Sequence, residues 1–166
     1  MKKNLKIFLD LDGTLARFNV PNALNRFKTE PNFFRNLKAY KGIEIIDRMA
    51  QTQDLYIISA SPHFQADWDK LVWIKMYLPH IKNKNIVICR LGENKAEVIK
   101  RELGINIDNS CVLLDDYTKN LEQWQEYGGT GIKRLTSVAD NSTKKWKGRT
   151  LKNLKDLNIA VELATM

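Results

Sequence analysis

Near its start the chain reads Ile7-Phe8-Leu9-Asp10-Leu11-Asp12-Gly13-Thr14, an apolar strand that runs directly into two carboxylates. Alternation along a strand puts Asp10 and Asp12 on the same side, within a few ångströms of each other. Two like charges that close repel unless a cation or a shared proton offsets them. Gly13 then lets the backbone turn sharply. Much further on, Val112-Leu113-Leu114-Asp115-Asp116 repeats the arrangement. With the two strand ends side by side, Asp10, Asp12, Asp115 and Asp116 make a set of oxygen ligands suited to a hard cation such as Mg²⁺.

The rest of the chain supplies the partners such strands need. Leu5–Leu11, Leu55–Ser59, Ile86–Cys89 and Cys111–Asp115 are short aliphatic runs that read as buried parallel strands, with Gly131–Leu135 a fifth. Between them, apolar residues recur at helical spacing. Ile43, Ile46, Met49 and Ala50 make one face, and Trp68, Leu71, Val72, Lys75 and Met76 a second. Ala96, Val98, Ile99 and Leu103 make a third, closed by Gly104. Further helices are expected from Thr118 to Tyr127 and from Leu151 to Leu157.

Strands alternating with helices imply an α/β three-layer sandwich around a mostly parallel sheet. A length of 166 residues suits a single domain, residues 1–166. The interval from Gly13 to Asp54 is longer than a crossover helix requires, and it carries Phe18, Phe27, Phe33, Phe34, Pro21 and Pro31. Residues 15–52, roughly, are therefore expected to form a small helical cap over the C-terminal edge of the sheet, where open α/β sheets place their ligands.

Composition narrows the class further. Hydrophobic residues at 43% and charged residues at 28% exclude a disordered or collagen-like chain. No stretch approaches the roughly 18 apolar residues of a membrane helix. Met1-Lys2-Lys3-Asn4 is basic, but Lys6 and Asp10 interrupt the apolar run that follows, so no signal peptide is expected. Cys89 and Cys111 sit in apolar runs and fit no metal-ligand spacing, which suits a reduced, cytoplasmic compartment. The 27 basic residues outnumber 19 acidic ones, a net charge of +8 that invites an anionic partner: nucleic acid, membrane surface or phosphorylated substrate.

One more strand end and one helix start fit the phosphorylated substrate. Ile57-Ile58-Ser59-Ala60-Ser61-Pro62 offers a hydroxyl at Ser59, then backbone amides from Ala60 onward, which can hold phosphate oxygens. Lys95 opens a helix, where a cation opposes the helix dipole and calls for a functional reason. Arg90, Lys82 and Lys84 are rivals for that anion-binding role.

These elements, in this order from Leu5 to about Leu121, resemble the haloacid dehalogenase-like (HAD) phosphotransferase superfamily. Its first motif matches Asp10-Leu11-Asp12-Gly13-Thr14, its second Ser59, its third Lys95 and its fourth Asp115-Asp116. The resemblance implies that Asp10 is a nucleophile that becomes phosphorylated, and that Asp12 protonates the leaving oxygen and then activates water. It implies Mg²⁺ held by the acids, and phosphate held by Ser59, Ala60 and Lys95.

The inserted segment is similar to the cap of the 5′(3′)-deoxyribonucleotidase family. The matching residues are Glu30-Pro31-Asn32-Phe33-Phe34-Arg35-Asn36-Leu37, Lys41-Gly42, Ser61-Pro62 and Trp73, with Asn32 standing where that family tends to have glycine. Phe18, Phe33 and Phe34 would then pack on nucleobase and sugar. The implied activity is a 5′-nucleotidase acting on (deoxy)nucleoside monophosphates. Two alternatives stand beside it. One is a phosphatase for a sugar phosphate or a polynucleotide end, which the basic residues Lys144, Lys145, Lys147, Arg149 and Lys152 would suit. The other is a nucleic-acid-binding protein without turnover. His63, just after Pro62, is read as a surface histidine in preference to a substrate contact, and His80 as structural.

Overall fold

The computed structural model of the protein describes residues 4–136 and 145–166. Six parallel strands form one sheet: β1 (Lys6–Leu9), β2 (Asp54–Ser61), β3 (Ile86–Arg90), β4 (Cys111–Asp115), β5 (Thr130–Arg134) and β6 (Arg149–Leu151). Their order is β3-β2-β1-β4-β5-β6, so the chain turns back at β1 and a crevice opens between the ends of β1 and β4. The helices are α1 (Ala23–Arg26), α2 (Ile43–Met49), α3 (Phe64–Tyr77), α4 (Lys95–Leu103), α5 (Thr118–Glu126) and α6 (Leu157–Thr165).

Strand alternation divides the core into two layers. Ile7, Leu9, Leu55, Ile57, Val112 and Leu114 face one way and pack with Ile46, Trp73, Ile74, Leu157 and Val161 of α2, α3 and α6. Phe8, Tyr56, Ile58 and Leu113 face the other way, onto Val98, Ile99, Leu121 and Trp124 of α4 and α5. Phe8 stacks on Tyr56 with ring centres 4.7 Å apart. Sheet and two helical layers make the three-layer sandwich that the sequence implies.

Two expectations are corrected. Leu151 does not open a helix: it closes β6, a three-residue edge strand on β5, and the last helix begins at Leu157. The buried face of α3 is not Trp68, Leu71, Val72, Lys75 and Met76 but Ala66, Asp69, Lys70, Trp73 and Ile74. Trp68 and Met76 are exposed. The helix is rotated because two charged residues, Asp69 and Lys70, occupy positions that a hydrophobic stripe would normally fill.

The interval between β1 and β2 contains α1, a series of turns and the crossover helix α2. Phe18, Phe27, Phe33 and Phe34 pack edge-to-face or stacked on one another in it, with ring centres 5.2–6.4 Å apart. Trp73 Nε1 donates to the Leu37 carbonyl at 2.7 Å and pins the segment to α3. His63 caps α3 by accepting from Ala66 N and bonds to the Lys28 carbonyl, a second tie. His80 bonds Asp47. Both histidines are structural. Asn32 has φ of 58°, the left-handed conformation that glycine adopts most easily and asparagine tolerates.

Candidate active site

The two carboxylate-bearing strand ends are neighbours. Asp10 N continues the ladder onto the Leu114 carbonyl at 2.9 Å, and the backbone then folds into a tight turn in which Thr14, Leu15 and Ala16 all donate to Leu11 O. Gly13 has φ of +79°, and a Cβ there would lie 2.2 Å from Asp116 Oδ2. Only glycine lets the two acidic segments close on each other.

Asp10, Asp115 and Asp116 offer oxygens that all lie within 4.8 Å of one another. Asp10 accepts from Thr14 Oγ1 at 3.0 Å and from Lys95 Nζ at 2.7 Å. Asp115 accepts from Lys95 Nζ at 2.6 Å, Asn120 Nδ2 at 3.0 Å and Tyr117 N at 2.9 Å. Lys95 is 4% exposed. Asn94 caps α4 by accepting from Ala96 N and Glu97 N, which fixes where Lys95 enters the site.

Burial and mutual repulsion shape the titration of these groups. Burial, then the nearby Asp10 charge, push Asp115 up to about 6 against the pull of Lys95. The same two causes, with Asp115 added, hold Asp116 well above the ordinary carboxylate range. For Lys95, burial works downward, but Asp10 and Asp115 more than reverse it, so the ammonium stays charged.

Asp12 lies apart from this cluster. Its Oδ2 contacts Lys70, and its buried Oδ1 has no partner among the described residues. Burial raises its pKa, opposed by the Lys70 charge. Lys70 is the site residue the sequence reading missed. It is fully buried, and its three ammonium protons have three acceptors: Asp12, Ser59 Oγ at 2.9 Å and Ala60 O at 2.8 Å. A lysine four residues after Ala66 and three before Trp73, both on the core stripe, was the available signal.

A cavity of about 290 Å³ opens above these groups. Asp10, Asp12, Asp115, Asp116, Ala60 and Lys95 make its polar floor, and Phe18, Phe27, Phe34 and Leu24 its apolar wall. Ser59 lies beneath, held by Lys70. Of the three phenylalanines expected at the substrate, Phe18 and Phe34 line the cavity, whereas Phe33 is buried in the core behind them. Phe27 and Leu24 stand in the wall instead. Arg90 is committed to Asp67, and Lys82 and Lys84 are exposed and outside the lining. Lys144 lies outside the described residues.

A phosphate-handling α/β hydrolase is the class this floor defines. The structure is similar to a HAD-superfamily hydrolase from Ehrlichia chaffeensis, with a TM-score of 0.63, 15% identity and 98% of each chain covered. It is also similar to the HAD-hydrolase YfnB from Bacillus subtilis bound to magnesium (TM-score 0.69, 12% identity, 96% and 99% covered). A third similar structure is the D,D-heptose 1.7-bisphosphate phosphatase from B. bronchiseptica complexed with magnesium and phosphate (TM-score 0.61, 16% identity, 96% and 98% covered). No curated protein sequence matches. The family model of the 5′ nucleotidase, deoxy (pyrimidine), cytosolic type C proteins matches residues 13–145. The chain belongs to that family and, with it, to the phosphoric monoester hydrolases of HAD type. No helix among the described residues is long and apolar enough to cross a membrane.

Proposed function

We infer that this protein is a Mg²⁺-dependent nucleotidase that removes phosphate from (deoxy)nucleoside monophosphates through a phosphorylated Asp10. The reading is carried by one juxtaposition: a floor of four aspartates and Lys95, with the buried Lys70 behind Asp12, faces an aromatic wall across a single small cavity. The floor suits phosphoryl transfer, which is mostly positioning and neutralisation of charge. The wall suits the flat, apolar faces of a nucleoside.

The residues divide the work as follows. An Asp10 carboxylate oxygen attacks phosphorus, and the bond from phosphorus to the ester oxygen breaks. Asp12, whose buried carboxyl holds its proton more tightly than usual, protonates the departing oxygen. It then takes a proton from the water that cleaves the aspartyl phosphate. Lys70 holds Asp12 and Ser59 in one fixed arrangement, Ser59 and Ala60 orient the phosphoryl oxygens, and Lys95 offsets their charge.

Asp10, Asp115 and Asp116 would hold Mg²⁺, which supplies charge neutralisation at the phosphoryl group. The donor set fits a hard cation: three oxygen ligands converge, and Asp116 forms no ion pair among the described residues. The cap role of residues 15–52, roughly, rests on the aromatic wall that Phe18, Leu24, Phe27 and Phe34 supply, and a cytoplasmic setting suits two free, buried cysteines.

The decisive measurement is phosphate release from a panel of nucleoside monophosphates, sugar phosphates and 5′-phosphorylated oligonucleotides, with and without Mg²⁺. Mg²⁺-dependent release from the nucleoside monophosphates is expected. Cleavage confined to sugar phosphates or oligonucleotide ends would overturn the nucleotide assignment and leave the acidic floor's chemistry standing.

A thermal measurement tests the cation directly. The folded pKa of Asp115 lies near 6, above its ordinary 3.8, so ionising it weakens the fold. That cost is absent below pH 4, grows up to pH 6 and is fully present above it, on the order of 1–3 kcal/mol. A cation that favours the ionised form should therefore stabilise most at high pH. Millimolar Mg²⁺ is expected to raise Tm by about 3–8 °C at pH 7.5 and by much less at pH 5. An equal rise at both values would argue against binding by these acids.

A further inference from the structure

A second cavity, of about 390 Å³, opens where β5 and β6 end. Among the described residues its charged lining is basic: Arg17, Lys41, Arg134 and Lys152. None of the four forms an ion pair among the described residues.

Arg134 is the informative one. Among the described residues three basic side chains are buried: Lys70, Lys95 and Arg134. The two lysines each contact carboxylates. Arg134 instead donates to backbone carbonyls, from Nε to Thr14 O at 3.0 Å and from Nη1 to Leu135 O and Lys152 O. Burial presses its pKa down, against the opposing pull of Tyr40 and of Asp116.

Tyr40 gives an independent sign. It lines the cavity, its ring centre lies 5.4 Å from the Arg17 guanidinium carbon and 4.8 Å from that of Arg134, and its buried hydroxyl has no partner among the described residues. Gathering four like charges and an unsatisfied hydroxyl is unfavourable unless something anionic completes the set.

We propose that this cavity is a second binding site, for a compact phosphoryl anion held by Arg17, Lys41, Arg134 and Lys152 with the Tyr40 hydroxyl as a further donor. The planar donor fork of Arg17 matches phosphate oxygens, Arg134 adds a full charge beside it, and a cluster of full charges favours a multivalent anion over a single carboxylate. The site is a pocket and not a track, and its one aromatic ring is already occupied by two guanidiniums. It therefore lacks the stacking platform that a single-stranded polynucleotide would use.

The test is calorimetric titration of the full chain with pyrophosphate, in chelator and at fixed ionic strength. Three proteins are compared: wild type, R17A/K152A, and K84A/K100A, which loses the same charge elsewhere on the surface. Wild type and K84A/K100A are expected to bind alike. R17A/K152A should bind at least about tenfold more weakly while its Mg²⁺-dependent phosphate release matches wild type. Equal weakening in K84A/K100A, unchanged binding in R17A/K152A, or no saturable binding by wild type would each overturn the proposal. Binding of a short oligonucleotide without a terminal phosphate that depends on Arg17 and Lys152, with pyrophosphate indifferent to them, would overturn it too. An ADP arm assigns the source: tighter binding than pyrophosphate marks an esterified phosphate, and equal or weaker binding a free one.

Discussion

The Asp10→Asn variant is expected to lower kcat for phosphate release by about 10⁴-fold or more, because an amide cannot act as the attacking oxygen. The substitution is a clean one. Asparagine keeps the shape of the side chain, and its amide oxygen could still accept from Thr14 Oγ1 or Lys95 Nζ, which hold the two oxygens of Asp10 at 3.0 and 2.7 Å. Lys95 would also keep Asp115 at 2.6 Å, so no buried cation is stranded. Removing one of three clustered charges should leave the fold as stable as wild type or slightly more so. Stopped turnover with unchanged Tm is thus the paired readout, taken on the best nucleotide of the panel. Undiminished Mg²⁺-dependent release by Asp10→Asn would falsify Asp10 as nucleophile.

The Lys95→Met variant should behave in the opposite sense, with stability lost along with activity. Methionine replaces the stem but not the ammonium, and leaves Asp10, Asp115 and Asp116 facing one another in a buried site. Removing one partner from a buried ion pair typically costs about 3–5 kcal/mol, a large share of the roughly 5–15 kcal/mol that holds a domain together. A fall in Tm of about 10 °C is expected at pH 7.5 without metal. The deficit should shrink at pH 5, where Asp115, near 6, and Asp116, higher still than its ordinary value, take up protons. It should shrink again when Mg²⁺ is added at pH 7.5. A pH-independent deficit would mean that lost packing, and not lost charge, is responsible.

Asp10 was legible in the sequence because its position follows from a strand, and Lys95 because it opens a helix, where a cation opposes the dipole. Where a run such as Val112–Leu114 is apolar at every position, both faces of the strand must be buried, and a carboxylate that follows can only sit at the sheet's open end. Lys70 was not legible in the same way. In α3 the exposed Trp68 and Met76 mimic a core stripe, whereas the true stripe contains Asp69 and Lys70, and the burial of Lys70 depends on partners from β2 and the turn after β1. Local periodicity carries no information about those partners. The three-residue β6 was hidden for a related reason: Arg149 and Thr150 are exposed, and an edge strand this short owes its form to β5 alone. The aromatic wall was partly read. Composition marked the phenylalanines of the insert, but which rings face the cavity and which face the core is a matter of tertiary packing: Phe33, expected at the substrate, packs in the core, and Phe27 stands in the wall.

The bonds of Lys70 have a consequence for how such an enzyme can change. One ammonium fastens the Asp12 turn, the end of β2 and helix α3 together, so these groups cannot drift independently of one another. The wall residues Phe18, Leu24, Phe27 and Phe34 hang from a different stretch of chain, and only Phe34 touches that ammonium, with its ring centre 4.2 Å from Nζ. Under the proposed function, chemistry and selectivity are mounted on separable parts. Variation at Phe18, Leu24 or Phe27 can retune which leaving group is accepted while the rate of phosphoryl transfer is retained. Variation at Phe34 trades one against the other, and makes it the hinge between the two properties in any effort to redirect this protein.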